Sequence, residues 1–194
     1  MICSYDLNLP ISWGYEEYVL EVLEDIRDPE SILPPYSTFE KYPGIFSPVA
    51  DYGQWLSKTF RIFAFPPKKP VVLHIDSNQY NQYPDMAKEI VVPQVINIPI
   101  KMQGVDTTYW YKQKTPAYLK PWEFFKTDRT DIEFEEIHRH TITNKPVLFN
   151  TSEWHAVENT TDNERIMVSF FFNHTVTWNT AKDILKDVIS SSDF

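Results

Sequence analysis

The sequence predicts a mainly β fold, closed or double-sheeted in the manner of a jelly roll, with a helical cover before it and a helix after it. Three observations carry this. From Arg61 onward the chain breaks into short runs rich in β-branched and aromatic residues, separated by polar and proline-containing turns. The four glycines, at 14, 44, 53 and 104, are too scattered to build a phosphate loop or a dinucleotide-binding turn. No apolar stretch approaches the roughly 20 residues of a membrane helix.

Taken in order, Tyr15, Tyr18, Val19, Val22, Leu23 and Ile26 recur at helical spacing with acids between them, and Asp28-Pro29 ends the pattern. This is an amphipathic helix packed on something larger. Residues 29–58 carry Pro29, Pro34, Pro35, Pro43 and Pro48 and read as an irregular connection, with a short helix near Tyr52 to Lys58, that covers one side of the domain. Strands are expected at 61–65, 71–76, 91–100, 107–112, 132–141, 146–149 and 165–173. Pro66-Pro67-Lys68-Lys69-Pro70 is expected to turn a hairpin between the first two, and residues 179–189 read as the closing helix. The whole is one domain, 1–194, divided into the cover (1–60), the β core (61–173) and the C-terminal helix (174–194).

Composition narrows the function. With 42% hydrophobic and 23% charged residues the 194-residue chain is of ordinary globular type. The net charge of -9 is concentrated in residues 1–60, where ten acidic residues face three basic ones. Such a surface repels phosphate backbones and anionic membranes, so neither nucleic acid nor membrane is an expected partner. Met1 to Asp6 shows no basic segment leading into an apolar core, so residence in the cytoplasm is expected. The single cysteine, Cys3, leaves any metal to be held by histidine and carboxylate, and gives triad hydrolysis little support.

The chemistry begins at Val71-Val72-Leu73-His74-Ile75-Asp76. A strand alternates its side chains between faces, so His74 and Asp76 point the same way. A carboxylate at the end of an apolar run needs a cation or several hydrogen bonds to offset its desolvation, and a divalent metal answers that need. One distant imidazole completes a facial triad of two nitrogens and one oxygen, which leaves about three positions open on an octahedral iron. Trp154-His155-Ala156-Val157-Glu158-Asn159 offers the imidazole, and Arg165 follows ten positions after it. In Arg165-Ile166-Met167-Val168-Ser169-Phe170-Phe171-Phe172 one face carries Arg, Met, Ser and Phe and the other Ile, Val, Phe and Phe. If a sandwich interior takes the first face, the guanidinium needs a carboxylate partner, either a ligand's or an internal Asp or Glu. Ser169, on the same face, is a second candidate donor. His138-Arg139-His140 is a rival metal motif, but no Glu follows at the required spacing, and it reads as an exposed strand edge.

These ordered motifs, over residues 71–173, resemble the iron(II)- and 2-oxoglutarate-dependent dioxygenases of the double-stranded β-helix, or cupin-like, class. The stretch Pro146 to Asn173 is most similar to the aspartyl/asparaginyl hydroxylase branch. The resemblance implies that His74, Asp76 and His155 bind iron(II), that Arg165 binds the far carboxylate of the co-substrate 2-oxoglutarate, and that Ser169 assists. Asn97, on the expected interior strand, and Tyr109, on the next, are candidate co-substrate contacts. The reaction implied is hydroxylation of an unactivated C–H bond by dioxygen, the substrate being an amino acid, a peptide side chain or another small metabolite. Residues 77–90 form a polar, tyrosine-rich insert that reads either as a substrate lid or as a surface loop. Two other readings stay open: a cupin metalloprotein of another reaction class, and a non-catalytic β-sandwich module in which Arg165 pairs internally.

Overall fold

A computed structural model describes residues 1–27, 37–68, 70–74, 94–101, 106–114, 132–158 and 162–190. The strands among these residues are β1 (Ser4–Asp6), β2 (Ser37–Thr38), β3 (Leu56–Phe65), β4 (Val71–His74), β5 (Val95–Lys101), β6 (Asp106–Gln113), β7 (Phe134–Ile142), β8 (Val147–Phe149), β9 (Trp154–Glu158) and β10 (Arg165–Phe172). They form two antiparallel sheets, a large one in the order β1-β8-β5-β10-β3-β2 and a small one in the order β4-β9-β6-β7. Among the described strands from β3 to β10 the order alternates between large sheet and small, except that β6 and β7 are successive and pair within the small sheet. This winding of two sheets around a shared interior is a double-stranded β-helix.

The central strand β10 shows why both of its faces had to be apolar or paired. Ile166, Val168, Phe170 and Phe172 join Phe60 and Ile62 of β3, Ile96 and Ile98 of β5, and the helical cover in one large cluster. Arg165, Met167, Ser169 and Phe171 occupy the opposite face, toward the small sheet, and all eight residues are buried. The cover is α1 (Tyr15–Ile26), which buries Tyr15, Val19, Val22 and Leu23 and turns its acids outward. A 3-10 helix, Pro43–Tyr52, adds Ile45 and Val49.

Several expectations are corrected. The short helix expected over 52–58 lies earlier, because Pro43 starts it and Pro48 interrupts any regular α ladder. Leu56 to Lys58 belong instead to β3, held by the pairing of Leu56 with Phe172. Residues 66–70 do not turn a hairpin: β3 pairs with β10 and β2, and β4 with β9, so this proline-rich connection carries the chain between sheets. The C-terminal helix, α2 (Trp178–Leu185), is capped by Thr177, whose hydroxyl accepts from the Thr180 amide at 3.2 Å. It stops short of 189 because Ile189 bridges Leu7, and the Ser190 amide bonds the Asp6 carbonyl at 2.9 Å.

Strand β1 was not expected at all. It pairs with β8 at the edge of the large sheet, and its side chains reach β7 at the edge of the small one. Ser4 Oγ lies 2.9 Å from His138 Nε2, and Asp6 Oδ1 lies 3.2 Å from His140 Nε2. His138 and His140 are thus half-buried struts that close one side of the sandwich, and only Arg139 between them faces solvent.

Candidate functional site

The inner face of the small sheet carries a transverse row of rings. His74 pairs with His155 across β4 and β9, His155 with Trp110 across β9 and β6, and Trp110 with His138 across β6 and β7. Directly opposed residues of antiparallel strands share a face. Trp110 identifies which one: it is 1% exposed and packs on Val147 and Phe149 of the large sheet, so the row faces the interior. The indole donates its Nε1–H to the Asn150 carbonyl at 2.9 Å, fixing the ring that stands beside His155.

The two imidazoles approach with ring centroids 4.3 Å apart and planes at 51°. His155 is buried, and its Nδ1 lies 2.9 Å from the Glu153 carbonyl oxygen. A carbonyl can only accept, so Nδ1 holds a proton, and in the neutral ring the lone pair is on Nε2. A second hydrogen bond of this kind orients histidine ligands in metal sites. The donor chemistry therefore fits a divalent metal held by two imidazoles. Asp76, residues 77–90 and Asn159 lie outside the described residues, and among the described residues no third acid, histidine or cysteine joins the pair.

At the other end of β9 a second polar centre is buried. Arg165, 3% exposed, opens β10, and its Nη1 stands 3.5 Å from Oδ2 of Asp106, 1% exposed, which opens β6. Its Nη2 donates to Met167 Sδ at 3.1 Å, and the guanidinium carbon lies 5.1 Å from the centre of the Phe65 ring. Among the described residues, Nε and Nη1 have no hydrogen-bond acceptor. Burial pulls the guanidinium down to about 10, against the opposing pull of Asp106, so it remains charged at neutral pH. Trp110 is the partner of His155, and Asp106 lies four residues before it on β6, which places this centre on the same face and roughly 13 Å along the sheet from His155 at the rise of a strand.

Ser169 and Asn97 come together, but with each other. They are directly opposed across β10 and β5, and the Ser169 hydroxyl donates to Asn97 Oδ1 at 2.5 Å. Four residues of strand set Ser169 roughly 13 Å from Arg165, so Met167 is the neighbour on the Arg165 face. Tyr109 stands on the outer face of the small sheet, between Ala156 and Arg139, and donates its hydroxyl to Glu158 at 2.8 Å. The aromatic that β6 turns inward is Trp110. Sequence reasoning missed it along with Asp106 and Thr108, whose buried Oγ1 has no hydrogen-bond partner among the described residues. Their alternation along one face of β6 was the available signal.

No family model and no curated protein matches the sequence. Among solved structures, the chain is similar to the non-heme alpha ketoglutarate dependent epimerase SnoN from nogalamycin biosynthesis, at a TM-score of 0.50 and 12% identity over 89% of this chain and 79% of that one. It is also similar to the carbocyclase SnoK from the same biosynthesis, at 0.47 and 14% over 87% and 79%. A prolyl-4-hydroxylase of Pseudomonas putida follows at 0.44 and 10% over 89% and 85%. At such identities the likeness is one of fold, and the fold of this chain is the mainly β double-stranded β-helix described above.

Proposed function

We propose that this protein is an iron(II)- and 2-oxoglutarate-dependent oxygenase that hydroxylates an unactivated C–H bond. One observation carries the reading: a pair of inward imidazoles shares the interior with a buried guanidinium whose hydrogen-bonding capacity is, among the described residues, largely unspent. A metal site alone does not explain the guanidinium, whereas a ligand that chelates metal at one end and presents a carboxylate at the other explains both. SnoN, by its name, is itself alpha ketoglutarate dependent.

In this reading His74 and His155 hold the metal through nitrogen lone pairs, and Asp76, two residues beyond His74, is the carboxylate ligand. Bound iron(II) would supply the activation of dioxygen. Arg165 holds the far carboxylate by charge and fork geometry, while Phe65 and Met167 exclude water around it and strengthen that attraction. Trp110 forms a fixed wall beside His155. The substrate is an amino acid, a peptide side chain or another small metabolite.

The test is anaerobic addition of iron(II) and 2-oxoglutarate to metal-free protein. A weak visible charge-transfer band is expected, lost in Asp76→Ala and His155→Ala. No band in the native protein, or one that survives Asp76→Ala, overturns the assignment.

The Arg165–Asp106 pair favours one second reading, a cupin metalloprotein of another reaction class in which the guanidinium pairs internally. Metal would then bind, and Arg165→Ala would leave any response to 2-oxoglutarate unchanged.

A further inference from the structure

The co-substrate reading leaves one residue without a role. Asp106 is 1% exposed, shares the interior with Arg165, and places Oδ2 3.5 Å from Nη1. Charge-assisted N–H···O bonds lie near 2.7–2.9 Å, so the two charges are in contact but not locked together. Nε and Nη1 still have no acceptor among the described residues. The guanidinium is thus held beside an anion that does not use it fully.

We propose that Asp106 is an internal competitor for the ligand carboxylate: it neutralises Arg165 in the free protein, and a carboxylate-ended ligand must share or take over the guanidinium against its negative charge. Two carboxylates brought to one buried cation repel each other in a low-dielectric interior. Asp106 therefore sets how strongly the site prefers a charged ligand end over a neutral one, a selectivity achieved by repulsion as much as by attraction. Like-charge opposition of this kind weakens binding without removing the anchor, which keeps the co-substrate exchangeable. The inference rests on Arg165 being the co-substrate anchor.

The test is calorimetric binding of 2-oxoglutarate and of 2-oxopentanoate, which has the same chain length and no far carboxylate, to protein loaded with manganese(II). The native protein is expected to prefer 2-oxoglutarate by less than about tenfold. Asp106→Asn is expected to tighten 2-oxoglutarate at least tenfold and leave 2-oxopentanoate unchanged, with Asp106→Ser as the second variant if the first does not fold. Unchanged or weakened 2-oxoglutarate binding in a folded variant overturns the proposal while leaving the co-substrate reading intact. A native preference above a hundredfold overturns it with no variant needed. Absence of 2-oxoglutarate binding in a protein that binds the metal overturns the co-substrate reading, and the proposal falls with it.

Discussion

His74 and His155 face each other across neighbouring antiparallel strands, one as the last residue of β4 and the other as the second of β9, with ring centroids 4.3 Å apart. Both rings project from backbone held by sheet pairing, and the Glu153 carbonyl orients His155, so little of this pair would have to be ordered for a metal to bind. Metal binding is expected to raise the melting temperature, because a ligand at about a hundred times its Kd stabilises by about 2.7 kcal/mol. His155→Ala and His74→Ala should each abolish the shift, and a chelator should reverse it in the native protein. Differential scanning fluorimetry with and without metal reads this directly. A full shift in His155→Ala would remove that residue from the ligand set.

Trp110 links the His74–His155 pair to the rest of the core. Its indole N–H satisfies the Asn150 carbonyl, and its ring packs edge-on against Phe149 with centroids 5.2 Å apart. Trp110→Phe keeps most of the apolar contact but orphans that carbonyl, at a cost of about 1–3 kcal/mol. Urea unfolding of the two proteins measures the loss, and a metal titration of the folded variant should show weaker binding because the wall beside His155 is no longer fixed. A variant as stable as the native protein would mean that Asn150 finds another donor.

These features differ in how far the sequence discloses them. The alternation Arg165, Met167, Ser169, Phe171 against Ile166, Val168, Phe170, Phe172 states two faces and hence a strand between layers, and the structure shows that strand at the centre of the large sheet. His74 is legible for the same reason, as an imidazole ending an apolar run. What alternation does not convey is which partner a side chain meets: Ser169 shares the Arg165 face yet is opposed by Asn97 of β5 and bonded to it. Strand β9 was missed because His155, Ala156 and Glu158 leave Val157 as its one β-branched residue, and its identity comes from pairing with β4 and β6. Asp106 was missed because its role exists only in a contact with a residue far away in the chain.

The Arg165–Asp106 pair also makes a prediction about stability. Both groups are almost wholly buried, so removing one takes a close counter-charge from the other. Arg165→Met is expected to cost about 3–5 kcal/mol, whereas Arg165→Met combined with Asp106→Leu should recover most of that loss. Denaturant unfolding of the two single variants and the double closes a double-mutant cycle whose coupling energy reports the pair. Near-additive costs would show that the two groups do not depend on each other.

Cys3 provides a pH prediction with a definite sign. Its side chain is fully buried among Trp110, Ile142, Val147 and Phe149. Burial, reinforced by the charge of Glu153, pushes the thiol from 9.0 up to about 12. Below about pH 9 the folded and unfolded chains both keep the proton, and the group adds no slope. Between pH 9 and 12 only the unfolded chain releases it, so stability falls as pH rises, by at most about 1.4 kcal/mol per pH unit. Tyr15, also raised by burial, contributes in the same direction, so the native profile alone does not isolate Cys3. The difference between native protein and Cys3→Ala does: it should be flat from pH 7 to 8.5 and then shift steadily against the native protein up to pH 10.5. Urea unfolding across that range measures it, and a difference that stays flat throughout would mean that the thiol titrates alike in both states.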